Sequence, residues 1–385
     1  MTSSTAAPAA RTSARFTARF ATDGEVENWD EHVTANPNGG NLLQSAAFAA
    51  VKRNFGWDVR HLVLEPAGAA ATAPGEAGAD EARPSYNLVL EKSFPLLGRF
   101  WYLIKGPDVA GVEDVPAALE AIGEFTRRER LNVFAVKIEP DIVDSEQARA
   151  VLSGAGLVKT FNLQPNDSTA LLDISEEPNK VLRSLHSRGR NAVRRAEREG
   201  VQVEVAEPTE ENYRAMHALM TGTLSAKSRS GTQVRSFEYY RQFWTEFTRR
   251  GQGRLYFVHE NGRPSVGAFV ITYGRKATYK DGGSLQKRSQ YGDSHLVQWQ
   301  AINDAKQAGC TEYDFCGTPP AEKLKDTSHP FHGLGLFKTS FTKTVTDFVG
   351  CWDYVVDPVR YRVWTAVGEK AARQLYTRRT GQQFY

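Results

Sequence analysis

Concentrated positive charge and small-residue turns are where this sequence could do chemistry. Between Arg183 and Arg198 it places six arginines, Arg183, Arg188, Arg190, Arg194, Arg195 and Arg198, offset in part by Glu197 and Glu199. The whole chain carries 48 Lys+Arg against 45 Asp+Glu, a net charge of +3, so this stripe is a local excess. Attraction of phosphates from RNA, a diphosphate or a nucleotide is one reading. A solvated helix face with i,i+4 pairing is the other, and the sequence leaves both open. A second candidate is Lys338, set among apolar and small residues just after a glycine-rich stretch in Gly333-Leu-Gly-Leu-Phe-Lys-Thr-Ser-Phe341. A lysine so placed can neutralise the oxyanion born when a carbonyl is attacked, and the alternative is an ordinary strand-edge lysine. Two glycine-containing turns, Lys105-Gly-Pro-Asp108 and Asp281-Gly-Gly-Ser284, each follow an expected strand and precede an expected helix. Their N–H groups could face an anion, or they could simply end a strand.

Other chemistries are poorly served. There is no Walker A pattern and no Rossmann fingerprint after any expected strand. The segment Ser289-Gln-Tyr-Gly-Asp-Ser294 does not fit the Q/R-x-x-G-x-G/A pyrophosphate loop of ordinary N-acetyltransferases, which argues against a coenzyme A thioester donor. His329 and His332 lie between Cys316 and Cys351 at no zinc-binding spacing, so no metal is expected. A G-x-S-x-G elbow is absent. The three cysteines form no C-x-x-C pair and cannot build a disulfide framework. Hydrophobic residues make up 41%, and no run approaches the roughly 20 apolar residues of a membrane helix. Residues 1–19 lack the apolar segment of a secretory signal. The expected class is a soluble, reduced, cytoplasmic protein.

The elements that must position these residues fall into two similar passes. In the first, a helix over Ser45–Asn54 precedes strands at Arg60–Glu65, Tyr86–Glu91 and Phe100–Ile104, a helix over Val115–Arg130 and a strand at Val133–Ile138. In the second, strands at Arg254–Val258, Val266–Ile271 and Lys276–Lys280 precede a helix over Ser294–Ala308 and a strand at Glu312–Cys316. Both read as hairpin, strand, polar loop, helix, strand, which suggests a duplicated α/β unit. Between them lie helical stretches at Asn179–Glu199, Glu210–Ala226 and Ser236–Arg250, and one more helix follows Asp357. Composition predicts a disordered tail over residues 1–18 and a loose surface loop over Ala67–Pro84.

Taken in order, these segments resemble the Fem family (FemABX) of peptidoglycan aminoacyltransferases. The similarity rests on Leu43-Gln-Ser45 with Lys52, Lys105-Gly-Pro-Asp108, the run from Arg188 to Val201, Arg235-Ser-Phe-Glu-Tyr-Tyr240, Tyr279-Lys-Asp-Gly-Gly-Ser284, Tyr313-Asp-Phe-Cys-Gly317 and Leu336-Phe-Lys-Thr-Ser-Phe341. It extends from about residue 40 to 356. The distance from Val201 to Arg254 is too short for the long helical arm of some members, so the chain resembles the armless, FemX-like branch.

The resemblance implies an α/β (α+β) fold of two lobes related to N-acetyltransferases (GNAT-like), the first over residues 19–165 plus 342–385 and the second over 166–341. It implies transfer of an amino acid from aminoacyl-tRNA to the stem-peptide amine of a peptidoglycan precursor, UDP-MurNAc-pentapeptide or lipid II, by a monomer without cofactor. Peripheral contact with membrane-bound lipid II would follow. It implies further that Lys338 stabilises the oxyanion or holds the tRNA end, with Phe337 stacking near the terminal adenosine. Asp108 is the expected general base, with the tRNA ribose hydroxyl as the alternative. Lys52, Arg235, Tyr239, Tyr256 and Tyr279 would line the acceptor cleft, the basic residues facing its phosphates. Arg188, Arg190, Arg194, Arg195 and Arg198 would attract the acceptor arm. Three competing expectations remain: an acetyl-CoA-dependent N-acetyltransferase, a transferase from aminoacyl-tRNA to protein N-termini, and a non-catalytic RNA-binding module. Turnover of acetyl-CoA without tRNA, use of a peptide acceptor, or binding of uncharged RNA without transfer would mark each.

Overall fold

The computed structural model describes residues 15–67, 83–163, 167–225, 234–380 and Phe384. Its strands are β1 (Phe16–Phe20), β2 (Asp58–Pro66), β3 (Ser85–Phe94), β4 (Gly98–Ile104), β5 (Val133–Glu139), β6 (Val158–Lys159), β7 (Ser168–Asp173), β8 (Glu204–Ala206), β9 (Gly253–Glu260), β10 (Arg263–Tyr273), β11 (Lys276–Ser284), β12 (Glu312–Gly317), β13 (Thr346–Asp347) and β14 (Trp352–Val355). The helices are α1 (Asp23–Glu27), α2 (Trp29–Thr34), α3 (Ala46–Asn54), α4 (Val115–Arg128), α5 (Glu146–Gly154), α6 (Pro178–Ser184), α7 (Ser187–Arg198), α8 (Glu210–Ser225), α9 (Phe237–Arg249), α10 (Asp293–Gln307), α11 (His332–Lys338), α12 (Pro358–Val363) and α13 (Glu369–Thr380). A π-helical turn, Trp364–Gly368, joins α12 to α13.

The strands form two seven-stranded sheets, ordered β1-β2-β3-β4-β5-β14-β6 and β8-β9-β10-β11-β12-β7-β13. Neighbour for neighbour, the two have the same directions: one parallel pair, β4–β5 or β11–β12, and antiparallel pairing elsewhere. The duplicated order read from the sequence therefore describes both sheets. The sixth strand of the first sheet, β14, arrives from beyond the second. It is held to β5 by the buried Lys137–Asp353 ion pair (2.7 Å), with the Tyr361 hydroxyl donating to the same carboxylate (2.9 Å).

Three local expectations change. Residues 16–18, assigned to the tail, pair with Pro66, Glu65 and Leu64 in β1–β2, because Ala18 and its neighbours close over the α4 side of the sheet; residues 1–14 and most of the Ala67–Pro84 loop lie outside the described residues. The stripe from Asn179 to Glu199 is two helices, since Leu185 and His186 are extended and the His186 ring caps α7 by accepting the Arg188 N–H (3.1 Å). Strand β13, placed with the first lobe by sequence, belongs to the second sheet. No described helix is long and apolar enough to cross a membrane.

The lobes share one core. Phe48 and Val51 on α3 join Tyr239, Phe243, Trp244 and Phe247 on α9 in a single buried cluster. Asp30 fastens the junction from α2: it accepts the Ala46 N–H (2.8 Å), the Tyr273 hydroxyl (2.9 Å) and the Gln252 amide (3.1 Å).

Asp281-Gly-Gly-Ser284, expected as an exit loop, instead continues β11, paired with Phe269, Ala268, Gly267 and Val266 of β10. Its glycines answer to sterics. A Cβ on Gly283 would lie 2.4 Å from the Leu219 carbonyl carbon, because the backbone of α8 rests directly on the strand. A Cβ on Gly282 would lie 1.6 Å from the Tyr279 hydroxyl. Gly283→Ala should therefore lower stability by about 2 kcal/mol in urea denaturation, since α8 must lift off the strand. Gly282→Ala should cost less but displace the Tyr279 phenol, visible as a changed tyrosine environment by NMR.

Candidate functional site

Strand β11 makes the site by leaving its neighbour early. Its parallel pairing with β12 covers Lys276–Thr278 against Glu312–Asp314 and goes no further. In the first sheet the equivalent pair stays closed from Arg99 to Ile104. At the same point the β10–β11 register slips: Val270 faces Tyr279 and Phe269 faces Asp281, so Lys280 is the extra residue. A bulge of this kind re-aims side chains. Tyr279 packs on the second-lobe core, whereas Asp281 accepts the Trp244 indole N–H (2.9 Å) and Lys280 lies over the Phe243 ring (5.2 Å) on the opposite face.

Lys338, the last residue of α11, enters this opening. It is only 7% exposed; its ammonium donates to the Gly317 carbonyl (2.7 Å) and stands 6.0 Å from the Tyr279 ring centre. Phe337 is half-buried, edge-on to His295 (5.0 Å) and Phe341 (5.5 Å). His295, unnoticed in the sequence, meets the Ser340 hydroxyl (3.1 Å), and burial followed by Arg188 pushes its pKa down to about 4.

The α3–α9 packing assembles a second group. The Lys52 ammonium is buried, stacked over Phe48 (5.2 Å), with no anionic partner among the described residues. Burial first, then the charges of Arg235, Lys92 and Lys280, drive its pKa well below the ordinary lysine value. Arg235 lies over the Tyr239 ring (4.6 Å) at the start of α9. Lys280 behaves oppositely: burial opposes its charge, but Asp281 at 3.5 Å more than offsets this and raises its pKa.

Lys280 also lines a cavity of about 270 Å³ between the lobes, together with Asn41, Lys105, Asp141, Lys276, Glu312, Asp314 and Cys316. Lys105 and Asp141 pair at 3.0 Å; burial disfavours both charges, but each holds the other ionised. Asp314 accepts the Thr169 hydroxyl and the Cys316 N–H, and burial raises its pKa. Cys316 is pushed up to about 12, chiefly by burial. The neighbour of Cys316 is Gly317, whose carbonyl holds Lys338, so cavity wall and strand opening are continuous.

Sequence reasoning missed Lys280, Asp141, Asp314 and Cys316. Lys280, Asp314 and Cys316 stand inside segments already singled out, but nothing in their spacing announces a bulge or a cavity wall. Two assignments change. Tyr256 faces the other side of the second sheet and donates its hydroxyl to Asp304 (3.0 Å) in the core, because strand alternation puts Phe257 on the α9 side. Asp108 is buried away from the cavity lining, with one carboxylate oxygen accepting the Asn38 N–H (2.8 Å) and the other the Gly40 N–H (3.1 Å). It clamps the loop that carries Asn41, and burial raises its pKa to about 6.

The arginine helix divides. Arg188 donates to the Leu336 carbonyl (2.6 Å), one residue from Phe337. Gly189 lets α7 come this close, since a Cβ there would lie 2.1 Å from the Ser340 carbonyl oxygen. Arg190 caps the end of α6 through the Arg183 and Leu185 carbonyls, and Arg195 pairs with Glu199 over the Tyr291 ring. Arg194 and Arg198 are exposed. Among the described residues, no group of three or more His, Cys, Asp or Glu side chains could hold a metal.

Comparison with known proteins agrees with this architecture. An acetyltransferase (GNAT) domain model matches residues 183–325. Lipid II:glycine glycyltransferase of Staphylococcus aureus strain MRSA252 is 23% identical over 413 aligned positions, covering 87% of this chain and 92% of that one. The crystal structure of FemX superposes with a TM-score of 0.70 at 20% identity, over 91% of this chain and 99% of that chain. A conserved Bacteroides thetaiotaomicron protein of unknown function superposes with a TM-score of 0.51 at 11% identity, over 87% and 98%.

A buried lysine without a counter-ion should take up a proton when an anion binds beside it. Calorimetric titration with a UDP-sugar in buffers of different ionisation enthalpy should show uptake of up to about one proton, lost in Lys52→Met. Affinity should fall as pH rises above the depressed pKa of the free Lys52 ammonium, where the bound cation is harder to form.

Proposed function

We propose that this chain, a homologue of the Fem-type transferases with a FemX-like fold, is an aminoacyltransferase of peptidoglycan bridge synthesis. It moves an amino acid from aminoacyl-tRNA to the side-chain amine of a stem peptide on a precursor carrying a diphosphate. The observation that carries this reading is the continuity from Lys52, which has no anionic partner among the described residues and stands beside the Arg235 charge, through Lys280, to the cavity whose wall leads to Lys338. The similarity to lipid II:glycine glycyltransferase makes lipid II the first acceptor to test.

In this mechanism Lys52, Arg235 and Lys280 take the diphosphate, with Tyr239 as the platform that fixes Arg235. The stem peptide then runs into the cavity. Its amine, with a free pKa near 10.4, arrives mostly protonated. Asp314, at the cavity wall, is the carboxylate placed to receive that proton, while Asp108 positions the Asn38–Gly40 loop and touches no reacting atom. The neutral amine attacks the ester carbonyl, a C–N bond forms, and negative charge grows on the carbonyl oxygen. Lys338 faces that charge from the strand opening. Collapse breaks the C–O bond, and the tRNA ribose oxygen leaves with the second proton, which comes from the attacking nitrogen as it becomes the amide N–H. Phe337 offers an aromatic edge for the terminal base, and Arg188, bound one residue away, begins a basic path for the acceptor arm along Arg194 and Arg198. An ester becomes an amide, so no ATP is consumed at this step. Cytoplasmic location and a monomeric state complete the reading.

Purified protein should be mixed with a panel of charged tRNAs and with nucleotide- and lipid-linked precursors, and product masses read. A mass increase of one aminoacyl residue is expected with tRNA, and none with acetyl-CoA alone. Lys338→Met should lower the rate by at least about a hundredfold with an unchanged melting temperature, as for loss of one oxyanion contact. A near-normal rate removes Lys338 from the chemistry.

A further inference from the structure

The chain's last described helices have two unlike faces. Inward, Trp364 packs against Phe94, Phe100 and Phe134, and Tyr361 bonds to Asp353. Outward, Val359, Val363 and Val367 recur every four residues and Leu375 follows eight positions on; all stand in solvent, with Val359 at 69% and Val367 at 64% exposed. The tip of the β3–β4 hairpin adds Leu96, 99% exposed. It belongs to the same face: Arg360 donates to the Leu97 carbonyl (3.4 Å), and the Leu97 side chain lies against Gly368. Scattered exposed apolar residues are ordinary, but a set that recurs along α12, the π-helical turn and α13 is not.

Charge identifies what would cover it. Pro358–Thr380 holds Arg360, Arg362, Lys370, Arg373, Arg378 and Arg379 against a single acid, Glu369. Valines and a leucine flanked by arginine and lysine form the pattern of a helix that lies in an anionic lipid interface. Location agrees as well. Near the end of α13, Tyr376 donates to the Phe55 carbonyl (2.8 Å) and carries Lys92 over its ring (4.9 Å). Lys92 is one of the cations that act on Lys52. The apolar face and the cation group are thus joined by one helix.

We propose that Pro358–Thr380 and the β3–β4 tip form a docking surface for an anionic bilayer. Docking there brings the Lys52–Arg235 cations to headgroup level, where a lipid-linked diphosphate would present its phosphates without leaving the membrane. This deepens the function proposed above by supplying the lipid side of the acceptor, but the docking rests on the surface alone.

The full chain should cosediment with vesicles of phosphatidylcholine containing about 30% phosphatidylglycerol, less as salt rises, and poorly with phosphatidylcholine alone. The pairs Val363→Asp with Val367→Asp, and Lys370→Glu with Arg373→Glu, should each weaken vesicle binding at least about tenfold while leaving the melting temperature unchanged. The valine pair should also spare transfer to a water-soluble acceptor. The proposal is overturned by absent binding of the parent protein, by both variant pairs binding as tightly as the parent, by these basic residues retaining tRNA and not vesicles, or by a dimer that the valine changes dissolve. Vesicle binding as expected, with no transfer in any assay, would sink the proposed reaction and support the surface.

Discussion

Everything in the candidate site depends on β11 parting from β12 after three paired residues. Two parallel strands that stay paired satisfy each other's backbone and leave no room between them, as β4 and β5 show. Once β11 separates, its slip at Lys280 sends consecutive side chains to places a regular strand would not. Tyr279 goes under Lys338, while Lys280 and Asp281 both face α9. The separation is stabilised from outside the strand: α8 lies against Gly283, and the Trp244 indole holds Asp281. The opening is therefore a property of the packed lobe and not of a flexible strand end.

Two buried lysines of the first lobe, Lys105 and Lys52, show how the same residue type takes opposite roles. Lys105 has Asp141 at 3.0 Å and stays charged despite burial. Lys52 is just as buried but faces cations. The first arrangement is structurally complete without a ligand. The second leaves an unmet demand for negative charge, which is how a protein stores affinity for a phosphate. Lys280 connects the two regions because it borders both.

Much of the fold was legible in the sequence. Period-two runs located β2–β5 and β9–β12, helical spacing located α3, α4, α8, α9 and α10, and the repeated order anticipated two matching sheets. Failures came where a local signal met a tertiary demand. His186 caps α7 and breaks an apparently continuous stripe. Gly282 and Gly283 looked like a turn because glycine usually marks one, yet each is small for the sake of a neighbour. Tyr256 was assigned to the cleft without regard to strand parity, and the clamp made by Asp108 stayed hidden because its two backbone partners come from residues about 70 positions away.

The residue types and their order determined the chemistry on offer: a concentrated arginine helix, a lysine near small residues, and no nucleotide loop or metal spacing. Local propensity and periodicity are encoded within a few residues, so those elements could be read one at a time. Which cations stand together, which of them lacks a counter-ion, and where two strands part were decided only by tertiary structure. Those properties depend on pairs such as Lys52 with Arg235, or Lys338 with Gly317, that are distant along the chain and meet only when helices and sheets exclude water between them.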